Sequence, residues 1–194
     1  MRNVKNRPLP EFNATEPVAW IGQCLSKITP RIGTGRKCAV DIAAGNLRHS
    51  RVLVHQFGFP KVIAIDIEPF VKGPLEPEIE IRRMDARKFT MPPKSADVVI
   101  WWNASYLFAP SQIRILLEQI RKGLADGGVF FGNFLYFPQD PSEPRFELTT
   151  FSEEKIKRAL YGLKIAVIEQ PQPEGSGLQR LPGAKMLLVM ACNA

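Results

Sequence analysis

Apolar positions along this chain switch repeatedly between a helical and a strand period. Val18, Ile21 and Leu25 recur at three- and four-residue spacing, so Thr15 to Ile28 is expected as a first helix, broken by Pro30 through Gly35. Lys37 to Ile42 reads as a short apolar strand, and Asn46 to Phe57 as a helix ended by Gly58 and Pro60. Lys61 to Asp66 is a second buried strand. Phe70 to Pro77 carries Pro and Gly, so any helix there is short or missing. Glu78 to Arg82 and Asp97 to Trp102 suit a third and fourth strand. Pro110 to Leu124 sets Ile113, Leu116, Leu117, Ile120 and Leu124 on one helical stripe. Asp126-Gly127-Gly128 should turn the chain into a fifth strand, Val129 to Leu135.

Beyond it, Tyr136 to Glu147 contains Pro138, Pro141 and Pro144 and reads as a loop. Thr150-Phe151-Ser152-Glu153 resembles a capping box opening a helix to about Tyr161. Leu163 to Glu169 and Lys185 to Cys192 are two final strands with no helix between them, for which an antiparallel hairpin is the simplest connection. Strands alternating with helices predict an α/β fold: a doubly wound, mostly parallel seven-stranded sheet, an antiparallel C-terminal strand and helices on both faces. One domain over 1–194 is expected, with 1–14 a flexible N-terminal segment.

Composition narrows the partners. Apolar residues at 45% and charged residues at 23% are ordinary for a globular chain and exclude disorder as the default. No run reaches the roughly 18 apolar residues that span a bilayer, so no membrane partner is expected. The basic Met1 to Arg7 stretch leads into Pro8-Leu9-Pro10-Glu11 rather than an apolar core, which argues against a secretory signal and for a cytoplasmic protein. Cys24, Cys38 and Cys192 lack paired spacing. Cys38 and Cys192 have apolar neighbours, so small buried hydrophobes are expected rather than a disulfide, and with His49 and His55 the only histidines no metal centre is expected. The formal charge of +7 suits nucleic acid, an anionic substrate or solubility. Its basic residues are scattered without interleaved aromatics, which places nucleic acid behind a small molecule.

In an open α/β sheet, ligands bind beyond the carboxyl ends of the strands. Val40-Asp41-Ile42-Ala43-Ala44-Gly45-Asn46-Leu47-Arg48 is a strand, a tight turn of small residues and a helix start, where backbone can approach a ligand and unpaired N–H groups await it. A pyrophosphate site wants G-x-G-x-x-G, and only Gly45 is present. Asp41 in the same turn suits an amine-bearing ligand better. Asp66 closes the second strand about 20 positions on, where a carboxylate can accept both ribose hydroxyls. Asp85 follows the third strand and could accept from an adenine amino group. Each acid alone also fits a cap or turn; together they mark three successive strand ends.

These residues resemble class I S-adenosylmethionine (SAM)-dependent methyltransferases, a Rossmann-like family, over about Thr15 to Cys192. Val40 to Ser50 resembles its first motif, a strand followed by D-x-G-x-G-x-G-R-x-S, with Ala43 and Leu47 in place of the first and last glycines. Val62-Ile63-Ala64-Ile65-Asp66-Ile67-Glu68-Pro69 resembles the ribose-binding motif, and Leu124-Ala125-Asp126-Gly127-Gly128-Val129 the helix-to-strand turn. The resemblance implies SAM as cofactor, held by Asp41, Ala43, Gly45, Asn46, Leu47, Asp66, Ile67, Asp85, Ala86 and Asn103, with Leu47 narrowing the space beside the methionine moiety. Asn103-Ala104-Ser105-Tyr106-Leu107-Phe108-Ala109-Pro110 is similar to the S-Y-x-L-x-F-x-P stretch of the small, stand-alone tellurite-resistance methyltransferases.

Methyl transfer from a sulfonium is an in-line displacement with an activated leaving group, so holding the nucleophile in line matters more than a base. No catalytic dyad is visible. Ser105, Tyr106 and Phe108 are candidate substrate-pocket residues beside Asn103, with His49 and Tyr136 further out. Trp101 and Trp102 should point to opposite faces, one into the core and one toward the cleft. Asn103-Ala104-Ser105-Tyr106 also echoes the N-P-P-Y loop of nucleobase amino-group methyltransferases, without its prolines. A small-molecule methyltransferase is therefore expected, the alternatives being a nucleic-acid amino-group methyltransferase and a non-catalytic SAM-binding protein.

Overall fold

In a computed structural model of the chain, which describes residues 19–32, 35, 37–71, 73–136, 150–171 and 185–193, the apolar runs pair into one seven-stranded sheet. Its strands are β1 (Ala39–Ile42), β2 (Val62–Asp66), β3 (Ile79–Arg83), β4 (Ala96–Trp101), β5 (Leu124–Tyr136), β6 (Lys164–Pro171) and β7 (Lys185–Cys192). The helices are α1 (Ala19–Ile32), α2 (Arg48–His55), α3 (Pro110–Gly123) and α4 (Glu153–Ala159), with single 3-10 turns at Ala86–Lys88 and Ser105–Leu107. The strand order is β3-β2-β1-β4-β5-β7-β6. Pairings from β3 to β5 are parallel, while β7 runs antiparallel to both β5 and β6, as the two helix-free C-terminal strands predict. The chain winds outward from β1 to β3, then returns to lay β4 beside β1. Ile42 of β1 pairs with Ile65 on one side and Trp101 on the other, so strand order reverses at its carboxyl end.

All four residues of β1 are buried because both sheet faces are covered, which is why the central strands read as apolar runs. Period-two alternation sends Val98, Ile100 and Trp102 to the face packed by Ile21 and Leu25 of α1 and Leu53 of α2. Val99 and Trp101 face Ile113, Leu116, Leu117 and Ile120 of α3 and Ile156 of α4. Among the described residues no helix is long and apolar enough to cross a membrane.

Several local expectations need correction. Helix α1 continues through Pro30 to Ile32: a proline in the last turn forfeits the bond to the carbonyl four residues back, while buried Ile21 and Leu25 anchor the preceding turns. The expected start at Thr15, the segment 1–14 and most of the 136–147 loop lie outside the described residues. Asp126-Gly127-Gly128 is a bulge within β5, not a turn before it. Ala96 pairs with Leu124 and Val98 with Val129, so the intervening β5 residues loop out, held by Gly127 N–H donating to the Asn193 carbonyl at 2.7 Å and Asn193 N–H to the Gly128 carbonyl at 2.9 Å. The cap of α4 is Ser152, whose hydroxyl accepts from Lys155 N–H at 3.4 Å, not Thr150. Buried Phe151, with its N–H on the Leu135 carbonyl, fixes where the chain turns. The three cysteines are free and half-buried rather than fully enclosed.

Candidate functional site

The turn after β1 is built on left-handed backbone at Ala43 (φ 56°), Gly45 (φ 53°) and Leu47 (φ 64°). Only Gly adopts this without cost, and Ala43 and Leu47 stand at two positions of the motif's glycines. The turn is clamped from β2. Gly45 N–H donates to Asp66 Oδ2 at 2.8 Å and Glu68 N–H to Asp66 Oδ1 at 2.9 Å, so one carboxylate orders the turns after both strands. Phe70 N–H then donates to the Gly45 carbonyl at 2.8 Å. Leu47 caps α2 without a side-chain acceptor, and Arg48 N–H reaches Asn46 Oδ1 at 3.3 Å.

Two ionisable groups in this turn are buried. Asp41, 1% exposed, accepts the Ser50 hydroxyl at 2.7 Å. Burial pushes its carboxyl up to about 6, against the Ser50 hydrogen bonds and the Arg48 charge, which favour the anion. Burial, helped by Arg48, pushes His49 down to about 3, so its imidazole is neutral. His49 Nε2 has no partner among the described residues, and the ring stands edge-on to Trp102 at 6.5 Å.

Beyond the ends of β2 and β3 lies a cleft of about 250 Å³. Of the residues singled out in the sequence, Ala43, Asp66, Ile67, Asp85, Ala86 and Phe108 line it. Ile65, Met84, Arg87, Ala104 and Leu107 complete the wall and carried no sequence signal beyond adjacency to those positions. Asp85 caps the 3-10 turn by accepting Arg87 N–H at 2.9 Å, and it also holds the Arg87 guanidinium. Those hydrogen bonds lower its carboxyl below the usual range.

The remaining candidates lie off this wall. Leu47 is fully buried in the core beside α1 and α2 and does not line this cleft. Neither tryptophan lines the cleft, contrary to the expectation for one of them. Trp102 joins the α1/α2 core, and Trp101 stands edge-on at 5.3 Å behind the cleft residue Phe108. Tyr106 is buried, its hydroxyl unpartnered among the described residues and pushed up to about 12 by burial, hence neutral. Tyr136 ends β5 half-buried, against the α3/α4 core.

A second cluster joins β4 to β5. Asn103 N–H donates to Asn133 Oδ1 at 2.7 Å, Asn133 Nδ2 donates to Asn103 Oδ1 at 2.6 Å, and the Ser105 hydroxyl donates to the Asn133 carbonyl at 2.6 Å. Asn133, 3% exposed, went unselected in the sequence, although a polar residue inside the apolar run Val129 to Leu135 is the signal that could have found it. Among the described residues no group of three or more His, Cys, Asp or Glu side chains gathers to hold a metal.

No protein-family model matches this sequence, and no curated protein sequence does. Solved structures do match in fold. The N-methyltransferase NodS from Bradyrhizobium japonicum WM9, crystallised with S-adenosylhomocysteine (SAH), aligns with a TM-score of 0.61 and 15% identity over 94% of this chain and 89% of its own. A SAM-dependent methyltransferase from Mesorhizobium loti gives 0.58 and 17% over 88% and 96%. Phosphoethanolamine N-methyltransferase 2 from Haemonchus contortus, crystallised with SAM, gives 0.63 and 13% over 88% of this chain and 52% of its own.

Proposed function

The chain has the Rossmann-like α/β fold of SAM-dependent methyltransferases, and from that premise we propose that it is itself such an enzyme, folded as one domain and methylating a small molecule. The observation that carries the reading is the placement of Asp66. Its carboxylate orders the β1 and β2 turns through backbone N–H groups and also lines the cleft, where its remaining lone pairs can accept from ribose hydroxyls. Ile67, Ala86 and Phe108 supply apolar surface for a purine, and Asp85 stands at the cleft wall with its carboxylate held by Arg87. The cleft volume suits a nucleoside and falls below the roughly 300 Å³ at which pockets for drug-sized ligands begin, so these residues fit the adenosine half of SAM. The methionine half would run over Ala43, Gly45 and Asn46 toward Asp41 and Leu47. There the turn's small residues let backbone approach a ligand, and the buried Asp41 carboxyl stands beside it.

When bound, SAM supplies an activated methyl group. The chain's part is to orient the acceptor, and the loop from Asn103 to Phe108, which gives Ala104, Leu107 and Phe108 to the cleft wall, lies beside the switch point where that acceptor would approach. No resident base is needed: His49 is neutral but buried against Trp102, and Tyr106 stays protonated.

Titration calorimetry tests the cofactor. SAH should bind the wild-type chain, and Asp66→Ala should weaken it roughly 100-fold, about the effect of losing two hydrogen bonds to a charged group. Absence of wild-type binding at millimolar SAH would sink the reading.

A further inference from the structure

The amides of Asn103 and Asn133 are fixed in orientation by the backbone. Asn103 N–H can only donate, so the Asn133 side-chain atom 2.7 Å away must be its oxygen. Asn133 therefore turns Nδ2 toward Asn103, and the Asn103 atom 2.6 Å from it must be an acceptor, Oδ1. One backbone proton thus determines both amides. The pair costs strain to hold: Asn103 has φ 55°, a left-handed conformation that Asn tolerates better than most side chains. Ser105, 1% exposed, braces the arrangement from the far side through the Asn133 carbonyl.

With Oδ1 directed to Asn133, the group Asn103 has left to offer is Nδ2. That atom has no protein partner among the described residues, and Asn103 is half-exposed beside the cleft residue Ala104. An amino group awaiting methylation must find acceptors for its protons. Here the outward atom is a donor. Resting on the methyltransferase reading, we infer that the methyl acceptor presents an oxyanion, a carboxylate or a phosphate, to Asn103 Nδ2, and that its amino groups are not recognised there. The surplus of 26 basic over 19 acidic side chains favours an anionic ligand.

Side-chain amide NMR tests this on the intact chain, with the Asn103 signal assigned by its loss in Asn103→Ser. In SAH-saturated protein, sodium acetate or inorganic phosphate should shift that signal saturably, and methylammonium should not. The stronger of the two anions separates a carboxylate from a phosphate source. A response to methylammonium alone, or to no probe, overturns the inference. So does a signal that SAH by itself saturates, leaving oxyanions without effect, because the amide then belongs to the cofactor. An oxyanion response in protein that fails the calorimetric SAH test removes the methyltransferase reading and overturns the assignment to a methyl acceptor, leaving an oxyanion site at Asn103 alone. In Asn133→Asp, the acceptor for Asn103 N–H remains but the donor to Oδ1 is gone, so the Asn103 amide turns Nδ2 inward. The acetate response should fall about tenfold with the remaining spectrum unchanged; an undiminished response overturns the proposal.

Discussion

The turn after β1 and the loop after β4 lie side by side at one end of the sheet, and each buries polar groups on backbone of positive φ. They satisfy those groups differently. The β1 turn buries a carboxyl, Asp41, on the hydroxyl and backbone of Ser50, and an imidazole, His49, whose Nε2 meets no partner among the described residues. The β4 loop buries Asn133 and Ser105, neutral groups whose bonds close on one another and on the backbone. Buried groups that titrate tie stability to pH, whereas buried amides tie it only to geometry.

Asp41 and His49 also work against each other. The Asp41 carboxyl rises from 3.8 to about 6, so the folded state holds its proton more tightly than the unfolded chain and gains stability as pH falls through that window. His49 drops from 6.5 to about 3, so the folded state resists protonation and loses stability as pH falls. Between about pH 4 and 6 the two nearly cancel, and the wild-type contribution of this pair should be level.

The largest way to break the contrast is therefore Asp41→Asn, which leaves His49 unopposed. Urea unfolding should then show stability falling from pH 6.5 downward, by roughly 4 kcal/mol at pH 3. His49→Gln should do the reverse, with stability rising by roughly 2 kcal/mol as pH falls from 7 to 4. If either variant stays level, the two groups are not buried as described. In the β4 loop, Asn133→Leu should cost about 1–3 kcal/mol by stranding the Asn103 N–H and Oδ1, with the same loss at pH 4 and pH 7. A pH-dependent loss there would erase the distinction between the two regions. The smallest effect is Ala43→Gly, which relieves left-handed backbone and should stabilise the fold by up to about 1 kcal/mol, read as a higher melting temperature.

How far the site was legible followed the range of each interaction. Asp66, Ile67, Asp85 and Ala86 could be found because a strand's last residue and its successors lie near the sheet's carboxyl edge whatever else the chain does. Arg87 followed less readily: its hold on Asp85 is local, but nothing in Asp85-Ala86-Arg87 distinguishes a cleft wall from an exposed turn. Leu47 is a related case, since motif position says where its backbone lies, while the packing of its side chain beside α1 and α2 is a tertiary outcome. The Asp126-Gly127-Gly128 bulge was hidden because it exists only in register against Ala96 and through bonds to Asn193.

By itself, the sequence determined the order of strands and helices, the antiparallel C-terminal pair and the acids at three strand ends, because periodicity and strand ends are local properties. Only the tertiary structure decided what each buried polar atom has left to give. Asp41 and Ser50 meet across a turn, and Asn103 meets Asn133 thirty positions away. A hydrogen bond consumed inside the protein is no longer offered to a ligand, and which bonds are consumed depends on neighbours that only folding brings together.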